Sequence, residues 1–314
     1  MMKRIALVLV VVAVLITAVG YLGGSWYFSD QIIARPITPL VESRSEFSGP
    51  AGYGLPAPEE IEVASDDEIT LRGWYFDNDR NGDCAAVLLH GHSGNRYGAL
   101  QYTPLFWERG CDLVLYDARG HGDSSPAFHT FGYHEKQDLV NMVNWVETRT
   151  GLAEEDVALV GVSYGAATAL QAAPLLPDVA FIVADSSYQD VQTIVTQQGQ
   201  AQFGDWVGWF VPGAFMVSGW RAGFDSTAAS PLTAVGQVQT TDTPIMLTHS
   251  LQDEYTVSAH SEAIFANSNP ETTVLHLNNW GAPHGRDIIN EPEQYAALVN
   301  DFIAEYAPDF GLQE

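Results

Sequence analysis

The longest apolar run in the chain comes first. From Ile5 to Phe28, 24 residues carry no charge, and Lys3 and Arg4 stand just before them. As a helix this run extends about 36 Å, enough to cross a hydrocarbon core with some tilt. Trp26, Tyr27 and Phe28 close it where interfacial aromatics sit. The pattern reads as a retained anchor over residues 1–29, its basic end cytoplasmic and everything after Asp30 on the outer, extracytoplasmic side. A signal peptide cleaved near Ala18-Val19-Gly20 is the competing reading. Residues 30–58 lose periodicity and gain breakers, among them Arg35-Pro36, Gly49-Pro50 and Leu55-Pro56-Ala57-Pro58, so they read as a linker or strap.

Residues 59–314 carry the pattern of one α/β domain. Ile61 to Ala64 and Ile69 to Phe76 predict an antiparallel hairpin around the acidic turn Ser65-Asp66-Asp67-Glu68. Short apolar runs follow at 85–89, 113–116, 157–160, 181–184, 245–248 and 273–277, each the signature of a strand covered on both faces. Helical patterns lie between them, near 99–109, 135–148, from Ala166, 258–266 and 293–306. The alternation predicts a mostly parallel, eight-stranded sheet flanked by helices. Residues 188–239 break the rhythm with Phe203, Trp206, Trp209, Phe210, Phe215, Met216 and Trp220 among few charges. A small helical cap is expected there. Its aromatics could line an apolar pocket, pack onto the sheet, or dip into the membrane.

Charge excludes more than it names. The net charge of −26, with Lys3 and Lys136 the only lysines, repels nucleic acid and anionic headgroups alike. Neither H-E-x-x-H nor paired C-x-x-C spacing occurs, and no Gly-Lys-Ser/Thr or G-x-G-x-x-G follows the first parallel strand. Neither metal nor cofactor is expected. The partners that remain are a small acyl, ester or peptide substrate and the membrane, through the N-terminal helix.

The chemistry centres on Gly161-Val162-Ser163-Tyr164-Gly165, entered from an apolar strand and left through Ala166-Ala167-Thr168-Ala169-Leu170. Strand, G-x-S-x-G and helix together describe a turn sharp enough to stand a serine hydroxyl clear of the sheet. Serine becomes a nucleophile only when a base takes its proton, and a carboxylate must orient that base. The chain order serine, acid, histidine selects Ser163, Asp253 and His284. Glu254 and Asp185 are the rival acids. The N–H of Tyr164, next after the serine, would donate to a developing oxyanion.

These landmarks resemble α/β-hydrolases of the serine aminopeptidase and prolyl-oligopeptidase-like group, including their single-pass, membrane-anchored relatives. The resemblance spans about Ile61 to Ala307. It is carried by Leu88-Leu89-His90-Gly91-His92, by Tyr116 through Ser124, by the serine turn, by His249-Ser250-Leu251-Gln252-Asp253 and by Ala282-Pro283-His284-Gly285. It implies a second oxyanion donor at the His92 N–H, and a serine hydrolase acting on esters or thioesters through an acyl-enzyme. A peptidase acting on short peptides is the alternative within enzymes, and a non-catalytic binding domain the alternative outside them. Cys84 and Cys111 each lie six residues before a motif residue closing a strand, His90 and Asp117. That offset puts them level on adjacent strands, as a disulfide or as two half-buried thiols.

Overall fold

The computed structural model describes residues 2–40, 43, 49–80, 82–237 and 243–311. Strands β1 (Glu59–Ala64) and β2 (Thr70–Phe76) form the expected antiparallel hairpin, with Asp67 and Glu68 both at φ 59° in its turn. Six further strands follow: β3 (Ala85–Leu89), β4 (Asp112–Asp117), β5 (Val157–Val162), β6 (Phe181–Asp185), β7 (Ile245–Ser250) and β8 (Thr273–Asn278). They assemble in the order β1-β2-β4-β3-β5-β6-β7-β8, with every pair from β4 onward parallel. This is the sheet of an α/β-hydrolase. Its central strands are buried throughout because the crossover helices cover both faces.

Ten helices are described: α1 (Met2–Ile33), α2 (Thr103–Trp107), α3 (Glu135–Thr150), α4 (Tyr164–Ala172), α5 (Val191–Phe203), α6 (Val211–Ala222), α7 (Pro231–Gln237), α8 (Ala259–Ala266), α9 (Asp287–Asn290) and α10 (Pro292–Tyr306). Side chains alternate across each strand, so adjacent residues feed different cores. Val87, Val114, Leu159 and Ile182 meet Met142 and Val143 of α3 and Leu170 of α4 on one face. Leu88, Leu113, Val160 and Val183 meet Phe106 and, from α10, Val299 and Phe302 on the other.

Two helices differ in extent from the sequence pattern. The helix anticipated near 99–109 is a 3₁₀ turn over Arg96–Tyr102 followed by one short helix. Asn95 starts that turn by accepting from the Tyr97 N–H, and Gly110 at φ 80° closes the segment. Helix α1 runs past Phe28 to Ile33 and stops just before Arg35-Pro36, where proline disfavours a helical predecessor. The chain after it lies against the domain. Thr38 donates to the Ser93 carbonyl at 2.8 Å, Asn95 Nδ2 donates to the Thr38 carbonyl at 3.0 Å, and Leu55 enters the core. Residues 41–42 and 44–48 lie outside the described residues, as do the last two positions of the anticipated cap, 238 and 239. The rest of the cap comprises α5, a 3₁₀ turn over Asp205–Trp209, α6 and α7.

Cys84 and Cys111 form a disulfide, with their Cα atoms 4.7 Å apart. Register explains it: Ala85 pairs with Asp112 on the parallel neighbour, so the residues just before them face each other. The closed loop of roughly 28 residues stabilises the fold by about 3 kcal/mol through the entropy it removes from the unfolded chain. Replacing both cysteines by alanine should lower unfolding stability by about that amount in a denaturant titration. Intact mass should rise by about two daltons on reduction.

Candidate active site

The turn after β5 is built by crowding. Ser163 adopts φ 56° and ψ −111°, a conformation non-glycine residues rarely take. A Cβ on Gly161 would stand 2.5 Å from the Ala166 nitrogen, and one on Gly165 would stand 2.5 Å from the Leu89 carbonyl oxygen. Neither position tolerates a side chain. Ser163 stays tied to the sheet through its own N–H, which donates to the Asp185 carbonyl at 2.7 Å. Tyr164 begins α4, and the first N–H groups of a helix have no acceptor within it. The loop after β3 lies alongside: a Cβ on Gly91 would be 3.7 Å from Ser163 Cβ. His92, the next residue, shares with Ser163 the lining of one cavity.

The acid and the histidine arrive from the far strands. Asp253 follows β7 and His284 follows β8, and His284 Nδ1 lies 2.6 Å from Asp253 Oδ2. The other carboxylate oxygen, Oδ1, accepts from the N–H groups of Tyr255 at 2.9 Å and Thr256 at 2.8 Å. Buried His249 approaches Oδ2 at 3.3 Å. Burial alone would raise the Asp253 pKa, but hydrogen bonds from His249 and His284 outweigh it and hold the carboxyl well below its ordinary value. Ser250 Oγ donates to the Ala282 carbonyl at 2.6 Å, fixing the start of the His284 loop. Gly285, at φ 62°, approaches Val162 so closely that a Cβ there would be 2.7 Å from Cγ2. The histidine loop therefore rests against the residue that precedes Ser163.

Neither rival acid takes this place. Glu254 is exposed. Asp185 is fully buried and accepts from Tyr102 Oη at 2.8 Å, Ser186 Oγ at 2.8 Å and Tyr295 Oη at 3.1 Å. Burial pushes its pKa up despite those donors.

The motif around Arg119 also buttresses from below rather than facing the cavity. Arg119 forms a buried pair with Asp138 at 2.6 Å, and Arg96 binds Asp117 Oδ2 at 2.7 Å while its own N–H reaches Oδ1. Glu135 accepts from Tyr164 Oη at 2.7 Å and from the N–H groups of Thr130 and Gly132, holding Phe131 at φ 57° in the cavity wall. Spacing in the chain hides one feature. His92, His121 and His129, scattered through the sequence, bring ring nitrogens within 4.8 Å of one another. His92 Nε2 lies 3.1 Å from His129 Nδ1, and burial holds all three pKa values down, so they pack as neutral rings.

Sheet order, a serine on the turn after β5, and an Asp–His pair on the loops after β7 and β8 together define an α/β-hydrolase. The family model for X-Pro dipeptidyl-peptidase (S15 family) matches residues 57–216, just over half of the chain, and the chain belongs to that family. Uncharacterized protein YqkD of Bacillus subtilis is 25% identical over 224 residues, covering 69% of this chain and 70% of its own. The Pyrococcus furiosus esterase Pf2001 superimposes with a TM-score of 0.65 at 22% identity, covering 82% of this chain and 94% of its own. An acylaminoacyl peptidase of Pyrococcus horikoshii superimposes at 0.61 with 18% identity, over 80% of this chain and 42% of that one. At these identities the two structures share the fold.

Behind the pair, burial and the charges of Asp185 and Asp253 push the Asp287 carboxyl up to about 6, with the Asn278 amide partly opposing. A folded-state pKa above the unfolded value means stability that is fully present below about pH 4 and lost as pH rises through 6. Thermal melts should therefore show the wild type losing Tm relative to Asp287→Asn between pH 4 and 7. A difference that stays constant over that range would contradict the assignment.

Proposed function

We propose that this chain is a membrane-tethered serine hydrolase that cleaves carboxylic esters or thioesters through an acyl-enzyme. One observation carries the reading: Asp253 and His284 are paired at 2.6 Å, and the His284 loop is packed against the residue before Ser163. Ser163 Oγ attacks the substrate carbonyl carbon while His284 takes its proton. The N–H groups of Tyr164 and His92 receive the negative charge that develops on the carbonyl oxygen. Collapse of the tetrahedral intermediate breaks the bond to the leaving oxygen or sulfur, which receives the proton from His284. A water molecule then repeats the sequence on the acyl-enzyme, giving a carboxylic acid and free Ser163. Asp253, kept ionised by its donors, orients His284 and stabilises the imidazolium.

Family membership favours peptide hydrolysis as a second reading. The cavity chemistry argues against it. An aminopeptidase or dipeptidyl-peptidase must hold a free α-ammonium, which calls for a carboxylate. Among the described residues lining the cavity there is none, and Arg35 is the charged group present. Walls that are mostly aromatic and aliphatic, with Gln31, Gln198 and Gln202 among them, suit an acyl chain instead.

The tether rests on α1, which is long and apolar enough to cross a membrane, with Lys3 and Arg4 at its short flank setting the cytoplasmic end. The full chain should sediment with membranes and stay there through a high-salt wash, since an apolar helix is not held by charge. Release by salt would contradict the tether.

A fluorophosphonate probe should label the protein once, at Ser163. Ser163→Ala should abolish labelling and lower turnover on p-nitrophenyl esters by about 10⁶. Asp253→Asn should cost about 10³–10⁴ in kcat, whereas Asp185→Asn should keep labelling and lose stability. Cleavage of aminoacyl nitroanilides but not esters would overturn the ester reading in favour of the peptidase.

A further inference from the structure

The cavity at Ser163 is walled by the anchor helix itself. Phe28 and Ile32 of α1 face Val195 and Phe203 of α5, Val207, and Val211 at the start of α6, while Ser163 and His92 lie at the sheet end. Over Lys3–Gly20 every residue of the anchor is exposed. From Tyr21 onward it is bound to α6. Tyr21 stacks on Phe210 at 5.6 Å, and Ser25 is fully buried beside Gly213. Trp26 meets Trp220 at 6.2 Å, and Asp30 pairs with Arg221 at 2.7 Å. At its end the Ile33 carbonyl accepts from the His129 N–H at 2.9 Å. An unbroken helix docked this way sets the height of the cap above the bilayer.

That height can be counted. A hydrocarbon core of about 30 Å, measured from Ile5 at 1.5 Å per residue, ends near Gly24. Trp26 then lies in the headgroup layer, and Phe28 and Ile32 lie roughly 6–12 Å above the core. The cap presents two tryptophans to the outside, Trp220 beside Trp26 and Trp209 next to the Phe210 that stacks on Tyr21, 76% and 79% exposed, with Met216 between them in sequence at 64%. Such a patch is a liability in water and the usual composition of a protein at the membrane interface.

We infer that the cap docks into the outer leaflet beside its own anchor, and that the substrate is a membrane-resident, single-chain acyl ester. The chain slides from the bilayer along the seam between α1 and the cap. This rests on the hydrolase and tether proposed above. The ester carbonyl reaches Ser163, the alcohol leaves with the proton from His284, and water releases the fatty acid, which returns to the bilayer along the same apolar wall. A chain transferred in this way never crosses water, so its hydrophobic transfer energy does not oppose binding.

The test uses the full chain reconstituted in neutral phosphatidylcholine vesicles, with p-nitrophenyl laurate dissolved in the bilayer and p-nitrophenyl butyrate supplied from water. The laurate ester should be cleaved with at least tenfold higher kcat/KM. Gly199→Trp should reverse that preference. Gly199 lines the cavity, and a Cβ there would meet Val207 at an ordinary 3.5 Å, so a side chain can start from this position into the chain path; labelling of the variant by a fluorophosphonate shows that it is folded. Trp209→Ser with Trp220→Ser should slow laurate cleavage about tenfold and leave butyrate cleavage unchanged, which also shows that the variant is folded. Three results would overturn the inference: butyrate preferred by the wild type, a laurate preference that survives Gly199→Trp, or equal slowing of both esters in the double variant. If neither ester is cleaved while a fluorophosphonate still labels Ser163, the lipid substrate falls and the serine hydrolase stands. If labelling fails as well, the hydrolase reading falls with it.

Discussion

A serine held at φ 56° between a strand and a helix needs a backbone with no side chains beside it, and the rest of this site follows from that crowding. Gly161 lies against the first turn of α4, and Gly165 lies against the carbonyl of Leu89 on β3. Because β3 touches the turn so closely, the loop leaving β3 has to cross beside Ser163, which brings His92 to the cavity. Because Gly285 closes on Val162 from the other side, the His284 loop is pressed onto the same turn. Contact with the turn thus helps to position both loops.

Buried charge is used here as scaffolding on both sides of the sheet edge. Arg96–Asp117 and Arg119–Asp138 are almost wholly removed from water, and each carboxylate accepts further hydrogen bonds, from the N–H groups of Arg96 and Asp123 or from the Ser65 hydroxyl. A buried pair adds little net stability, but breaking it is costly because one charge is left alone. Such pairs hold the loops that follow β4 in one conformation. Asp253 differs from Asp117 and Asp138 in its partners. Its donors are two backbone N–H groups and two imidazoles, which leave it ionised and aimed at His284.

Helix α1 links the proposed membrane tether to the candidate active site. A single-pass helix on a flexible linker would leave the domain free to tumble above the bilayer. Here α1 is stitched to the cap through Tyr21, Ser25, Trp26 and Asp30, and residues 34–40 continue across the loop after β3. Gly24 and Gly213 are the close-approach points of that seam, since a side chain at either would run into Phe210 or into Ser25 and Tyr21.

Local pattern determined the elements and the order of the chemistry. Short apolar runs become buried strands because only a strand covered on both faces hides every residue, and six such runs leave few other folds open. The G-x-S-x-G turn is local as a pattern, although only Gly161 is crowded by its chain neighbours, and Gly165 is crowded by Leu89 on β3. The Asp253 and His284 assignment came from chain order, and the structure sets the two side chains 2.6 Å apart. Tertiary structure decided what depends on residues far apart in sequence. His92, His121 and His129 look scattered because the loops that gather them are separate. The bonds of Asp185 to Tyr102 and Tyr295 span more than 80 and 100 residues. Helix α1 reads from its own composition as an anchor and nothing more. That Phe28 and Ile32 wall the cavity at Ser163 follows from packing against a cap some 180 residues later, and hydrophobicity along the chain carries no information about which apolar surface will meet which.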